Sequence, residues 1–365
     1  QPERPVYFFL DEIQRLDRWE LYLKKWYDLG RPFRVVASGS ATSPIFKKSR
    51  ESLLGRVKDY HVLPFSFREY CVLHEGRGSL EGTMFEPWPD LATREDMWGG
   101  PHFLQSAVLA NQQFSARLRR RFEHLLRRYM EAGGFPETYE MDDPVQKQEY
   151  LYDNQVQKVI YEDLVLAAQF RKPENVKRFY LSLLTRPGEE VNIQKAGQEI
   201  GASRVTLEKY LPLLEMTDLV HLLPRFSPRP LRRRRSHIKC YPLDLSLRNA
   251  VPKLDEKALA DPAQQGIMAE TLVFNNLRRW PEIVELSYFR KGDLEVDFVV
   301  TLTPGKHLPV EVKFRNDAEV GPGLRHLMKK YDCPVGILIK KDKAAFGEDN
   351  IARLPLAAFL SLFDW

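Results

Sequence analysis

Two groups of acidic residues stand where they could do phosphate chemistry. The first is Asp11-Glu12, which closes the apolar run Val6-Tyr7-Phe8-Phe9-Leu10. An aspartate at the end of such a strand can hold the water shell of a Mg²⁺ ion beside nucleotide phosphates, and a following glutamate can orient the attacking water. Two solvated acids at a strand end are the plainer account. A second run, Phe33-Arg34-Val35-Val36-Ala37, ends in Ser38-Gly39-Ser40. Adjacent parallel strands would bring Ser38 or Ser40 beside the acids, in reach of a γ-phosphate or its attacking water. A small-residue turn would have the same composition.

The second group lies in the last third of the chain. Glu270 falls in a helical pattern, Asp297 within Leu294-Glu295-Val296-Asp297-Phe298-Val299-Val300, and Glu311-Val312-Lys313 on the next strand. Period two places Glu311 and Lys313 on one strand face. Asp297 and Glu311 would then hold Mg²⁺, while Lys313 stabilises the attacking hydroxide or the pentavalent phosphate. This E…D…ExK order is that of restriction-endonuclease-like folds. A satisfied ion-pair site between paired strands answers to the same residues.

The elements that must position these groups follow from periodicity. Val6–Leu10 reads as a strand buried on both faces, and Ile13, Leu16, Trp19, Leu23, Trp26 and Leu29 mark a helix ending at Gly30. With the strand at 33–38 they form a βαβ crossover, hence a parallel sheet. Residues 71–114 are broken by Gly and Pro and read as a loop-rich insertion; 115–187 read as a helical, lid-like region. From 188 to 250 the pattern changes. Ile193–Ile200, a turn at Gly201-Ala202-Ser203 and Arg204–Thr217 make a helix-turn-helix, with Ser203 a candidate N-cap. Strands at 220–223 and 238–241 flank a basic wing. Pro212 should kink the second helix. Residues 251–365 alternate helix and strand as an α/β domain, and 1–70 carry the parallel-sheet core.

Composition sets the class. With 43% hydrophobic and 29% charged residues, the chain is neither disordered nor fibrous. No apolar run reaches the roughly 18 residues of a membrane helix. Three scattered cysteines, Cys71, Cys240 and Cys333, make neither a disulfide framework nor a zinc site, and no signal peptide is visible, so a reducing cytosol is the expected compartment. The net charge of +5 is modest but clustered, at Arg117–Arg121, Arg127-Arg128 and Arg232-Arg233-Arg234-Arg235. Arg204 and Lys209 on the second helix, with the four wing arginines, could meet DNA phosphates. A protein-docking role suits a winged helix equally.

VYFFLDEIQRLDRW, RVVASGSATSP, LLGRVKDYHVLPFSFREY and GGFPE resemble the AAA-type P-loop ATPases that bear a C-terminal DUF4143 domain. The resemblance covers nearly the whole chain apart from 74–112. It implies a P-loop NTPase core entered at its Walker B strand, a winged-helix middle and a restriction-endonuclease-like C-terminal domain. ATP and Mg²⁺ would be its ligands, with Arg56 of Leu54-Gly55-Arg56 as a charge sensor or finger at the γ-phosphate. A surface salt bridge would also explain Arg56. No G-x-x-x-x-G-K-[ST] occurs between Gln1 and Trp365, so the phosphate-binding loop is expected upstream. Three functions stay open. They are an ATP-dependent, nucleic-acid-associated protein, a Mg²⁺-dependent DNA nuclease regulated by the ATPase core, and a noncatalytic DNA- or protein-binding module of a defence or toxin–antitoxin system.

Overall fold

The computed structural model describes residues 4–39, 53–58, 60–75, 102–113, 115–164, 172–216, 218–228 and 237–362. Ser40, the arginines 232–235 and most of the expected insertion lie outside them. The chain divides into two compact units, one of residues 1–63, 152–182 and 192–220, the other of 64–151, 183–191 and 221–365.

In the first unit β1 (Val6–Leu10) pairs in parallel with β2 (Phe33–Ala37), from Val6 opposite Phe33 to Leu10 opposite Ala37. The helix between them, α1 (Trp19–Asp28), covers one sheet face, where Trp26 packs on Phe8 and Phe33 with ring centroids 5.5 and 5.4 Å away. The expectation that β1 is buried on both faces does not hold. Tyr7, Phe9 and Val36 are 61%, 76% and 56% exposed. Among the described residues this sheet has two strands and one covering helix, so alternate side chains of the apolar run have nothing to pack against.

Two further helices of this unit, α2 (Ile193–Ile200) and α3 (Arg204–Met216), flank the turn at Gly201, where φ is +74°. Asn192 caps α2 by accepting from the Lys195 amide, and Ser203 caps α3 by accepting from the Thr206 amide. The second helix runs through Pro212 to Met216.

The second unit is built on a sheet whose strands run in the order Glu285–Lys291, Leu294–Thr303, Lys306–Val312, Gly336–Lys340, Ile351–Pro355 and Ala345–Phe346. A two-stranded pair, β3 (Val220–Pro224) with β4 (Ile238–Pro242), precedes it, followed by α4 (Pro262–Leu277). The sheet strands are β5 (Glu285–Lys291), β6 (Leu294–Thr303), β7 (Lys306–Val312), β8 (Gly336–Lys340), β9 (Ala345–Phe346) and β10 (Ile351–Pro355), with α5 (Pro322–Tyr331) between β7 and β8. Phe298, Val300 and Val310 pack with Leu272 and Phe274 of α4, whereas Val296, Val299 and Leu338 pack with Leu324 and Leu327 of α5. Hence both sheet faces are covered. The β5–β6 register shifts between Ser287, opposite Val299, and Phe289, opposite Val296. Two residues of β6, Asp297 and Phe298, therefore oppose the single Tyr288, which is a β-bulge.

His102–Gln113, expected to be loop, is a helix. Leu104, Ala107, Val108 and Asn111 are buried at i, i+3, i+4 and i+7, and the helix-breaking Gly99, Gly100 and Pro101 all precede it. The GGFPE motif is a packing device. Gly133, at φ +71°, leaves no room for a Cβ, which would lie 1.9 Å from Asp244 Oδ1; a Cβ on Gly134 would lie 2.2 Å from the Phe65 carbonyl oxygen. The Phe65 amide donates to the Gly134 carbonyl at 2.6 Å, so GGFPE and LPFSF are joined by their backbones.

Candidate functional site

At the carboxyl end of β1 and β2 the structure brings two of the predicted residues together. The Ser38 hydroxyl donates to Asp11 Oδ1 and stands 3.4 Å from the Glu12 amide, which donates to it. The backbone fixes the pairing, because the Ser38 amide donates to the Leu10 carbonyl at 2.8 Å and the Ile13 amide to the Ser38 carbonyl at 3.0 Å. Glu12 adopts a left-handed conformation, φ 50° and ψ 46°, uncommon for a residue with a Cβ and a way to end a strand abruptly. An exposed carboxylate beside a hydroxyl, at the open edge of parallel strands, is a donor set of the all-oxygen kind that Mg²⁺ prefers.

Arg56 is elsewhere in this unit. Its Nε is 2.9 Å from Asp28 Oδ1, and its guanidinium lies 5.7 Å from the centre of the Tyr27 ring. Asp28 is the last residue of α1, and the chain that follows it enters β2 at Phe33, opposite Val6, whose amide donates to the Pro32 carbonyl. Asp28 therefore precedes the end of the strand pair marked by Val6 and Phe33, whereas Asp11 follows the other end at Leu10. The salt-bridge reading of Arg56 therefore describes its position in this chain, and the structure does not bring it to Asp11. On α3, Arg204 is engaged by Glu208 at 2.8 Å, whereas Lys209 is exposed.

In the second unit the structure brings together Glu270 of α4, Asp297 of β6, Glu311 of β7 and Lys313 just beyond that strand. The β6–β7 register pairs Phe298 with Val310, and its next step sets Asp297 opposite Glu311. Asp297 Oδ2 accepts from the Val312 amide at 2.7 Å. Buried Glu311 accepts from the Gly321 amide at 2.9 Å and pairs with Lys313 Nζ at 3.1 Å. Lys313 also donates to the Glu319 carbonyl at 3.0 Å. Three residues not singled out from the sequence complete the cluster: Lys239, Tyr241 and Glu295. Lys239 Nζ lies 2.9 Å from Glu295 Oε1 and 3.5 Å from Glu270 Oε1, and the Tyr241 hydroxyl donates to Glu270 Oε1 at 2.6 Å. A lysine inside the apolar strand Ile238–Pro242 is the signal that could have found them.

Charge and burial shift these groups strongly. Burial first, and then the Glu270 charge, push the Asp297 carboxyl up to about 8, with Lys239 and the Val312 amide opposing. Lys239 is held above its ordinary value although burial pulls it down, because Glu270, Asp297 and Glu295 outweigh that cost. Burial and Glu270 carry the Tyr241 phenol well above its usual range. The fit to a divalent ion is poor. An ammonium already lies among the carboxylates, and among the described residues no three His, Cys, Asp or Glu side chains gather in a geometry that would hold a metal.

The same unit contains a cleft of about 920 Å³ lined by Arg119, Arg120, Arg127, Lys341 and Lys343, with Glu123 and Asp342 the acids among its walls. Arg119, Arg120 and Arg127 belong to the helix Ala116–Ala132, which carries the basic clusters Arg117–Arg121 and Arg127-Arg128. No helix among the described residues is long and apolar enough to cross a membrane.

Comparison with known proteins identifies three segments. Residues 1–71 match the family model of an AAA domain, residues 123–258 that of a domain of unknown function, DUF8612, and residues 265–359 that of DUF4143. Similar proteins include the uncharacterized protein MJ1544 of Methanocaldococcus jannaschii, 25% identical over 299 residues that cover 80% of this chain and 58% of that protein. MJ1637 of the same organism is 25% identical over 248 residues, covering 67% of this chain and 48% of its own. An uncharacterized protein of Haemophilus influenzae is 22% identical over 305 residues, covering 81% and 63%. The chain thus spans about half to three-fifths of the length of the curated relatives it matches.

Proposed function

We propose that the AAA-domain segment supplies the acid-bearing edge of an ATP site, and that the whole protein is an ATP-hydrolysing, nucleic-acid-associated protein. The observation that carries this reading is the contact between Ser38 and Asp11 at the carboxyl end of two paired parallel strands. There Asp11 would hold the Mg²⁺ water shell, Glu12 would orient the attacking water, and Ser38 keeps the Asp11 carboxylate in place. When bound, the ion neutralises charge on the phosphate oxygens. The backbone cradle for the β- and γ-phosphates would come from a segment other than Gln1–Trp365. The test is ATP turnover by the product of the complete reading frame. Asp11→Asn and Glu12→Gln are each expected to lower kcat roughly 10²-fold or more. Turnover unchanged in both variants would overturn the reading.

A second reading, direct contact with nucleic acid, is favoured by the cationic cleft on the helix Ala116–Ala132. Five cations against two acids give its walls a net positive field, the sequence-independent part of phosphate-backbone affinity. Retention of duplex DNA at low salt, lost when Arg120 and Arg127 are both replaced by alanine, would support it; equal retention would remove it.

A further inference from the structure

The carboxylate cluster of the DUF4143 segment has the residue order of a metal nuclease, yet its centre is arranged for a different cation. Lys239 and Tyr241 alternate with apolar residues on β4, so period two directs both side chains to one face. The Lys239 side chain is only 5% exposed. A lysine is buried to that extent only when its charge is compensated. Compensation comes from Glu295 at 2.9 Å, Glu270 at 3.5 Å and the face of the Tyr288 ring, 5.2 Å to its centre.

Glu270, Asp297 and Glu311 each also have an internal donor. Glu270 Oε1 accepts from Tyr241, Asp297 Oδ2 from the Val312 amide, and Glu311 from the Gly321 amide and Lys313. Mg²⁺ demands near-octahedral oxygen ligands at about 2.0–2.1 Å and gives up its own waters reluctantly. Carboxylates held at ammonium distances by internal donors do not offer that geometry. The surroundings have no slack either, because a Cβ on Gly188, at φ +78°, would lie 2.8 Å from Glu270 Oε1, and one on Gly321 2.2 Å from Glu311 Oε1.

We propose that ammonium groups, Lys239 on Glu270 and Glu295 and Lys313 on Glu311, take the place of the divalent cation, so that the carboxylate centre around Asp297 is a self-neutralised core that excludes Mg²⁺. On this assignment the DUF4143 segment does not cut phosphodiesters and acts as a binding or scaffolding domain. The assignment is independent of the ATP reading, since all of its residues lie in the second unit.

Mn²⁺ titrated into the purified chain, with free ion followed by its electron paramagnetic resonance signal, tests it. The wild-type chain is expected to take up no Mn²⁺ that depends on Asp297. Lys239→Ala should gain one site, with affinity about tenfold or more above wild type, and Asp297→Asn added to that variant should abolish it. Lys239→Gln keeps length and a donor while removing charge, and gives the same readout where alanine does not fold. Uptake by wild type that is lost in Asp297→Asn overturns the assignment. So does a lack of uptake by folded Lys239→Ala and folded Lys239→Gln. If neither variant keeps the far-ultraviolet circular dichroism of wild type, the wild-type titration decides alone: blindness supports the assignment, and Asp297-dependent uptake refutes it.

Discussion

Ser38 donates its hydroxyl to the carboxylate of Asp11 and accepts the Glu12 amide, so one small side chain engages the Asp11 carboxylate and the Glu12 backbone at the end of β1. Ser38→Ala leaves the strands paired, because their ladder is backbone. The expected loss of stability is only about 1 kcal/mol, the net value of an ordinary hydrogen bond. The loss in ATP turnover by the complete protein should be larger and should appear in kcat with KM little changed, since what is lost is the orientation of the Asp11 carboxylate. Steady-state kinetics of the variant check this, and wild-type kcat would separate Ser38 from the site.

Asp244 is the anchor of the GGFPE turn. Its buried carboxylate accepts from the Gly134 amide at 3.0 Å, the Ser246 amide at 2.8 Å and the Ser246 hydroxyl at 2.6 Å. Burial raises its pKa, against the lowering effect of these donors. Asp244→Ala leaves the donors unpaired in a dry site and removes the cap of the helix that follows. The expected cost is about 3 kcal/mol, read as a lower urea midpoint. A loss under 1 kcal/mol, on the order of one ordinary bond, would mean that water replaces the carboxylate.

Much of this is legible in residue patterns, for reasons that particular residues make plain. Gly201 and Ser203 mark the turn and the start of α3 directly, because caps and left-handed turns depend on single residue types. Ile193–Ile200 is observed at the expected limits. The pairing of Asp11 with Ser38 follows from strand ends alone. By contrast, composition misleads on the burial of β1, since an apolar run says what a strand tolerates and not what covers Tyr7 or Phe9. The fourth carboxylate and the internal cation escape a sequence reading for a related reason. Glu295 and Lys239 meet only through tertiary packing, and the bulge that opposes Asp297 and Phe298 to Tyr288 leaves no mark in a period-two pattern.

Asp297 predicts a pH dependence of stability with a definite sign. Its carboxyl has an ordinary value of 3.8 and is pushed up to about 8 in the folded chain, by burial and then by Glu270. Between those values the folded state keeps a proton that the unfolded chain releases, so the unfolded state binds fewer protons and stability falls as pH rises. The fall spans about pH 4 to 8, with a slope of at most about 1.4 kcal/mol per unit, and then levels off. Asp297→Asn cannot ionise and should lack this fall. Urea midpoints of both proteins across that window check it, and parallel curves would mean that Asp297 does not hold its proton.

The cationic cleft yields the sharpest numerical expectation. Phosphate contacts release counterions, so the logarithm of a DNA association constant falls linearly with the logarithm of salt concentration, by about 0.9 per phosphate neutralised on a duplex. Arg120 and Arg127 line the cleft from the helix Ala116–Ala132, seven residues apart and hence two turns along one face. If each meets one phosphate, the double alanine variant should bind more weakly at every sequence tested, with a salt slope shallower by about 1.8. Fluorescence anisotropy of a labelled duplex over a salt series measures both quantities. Weaker binding with an unchanged slope would indicate that the helix was disturbed and that no phosphate contact was lost; an unchanged constant would place the duplex away from the cleft.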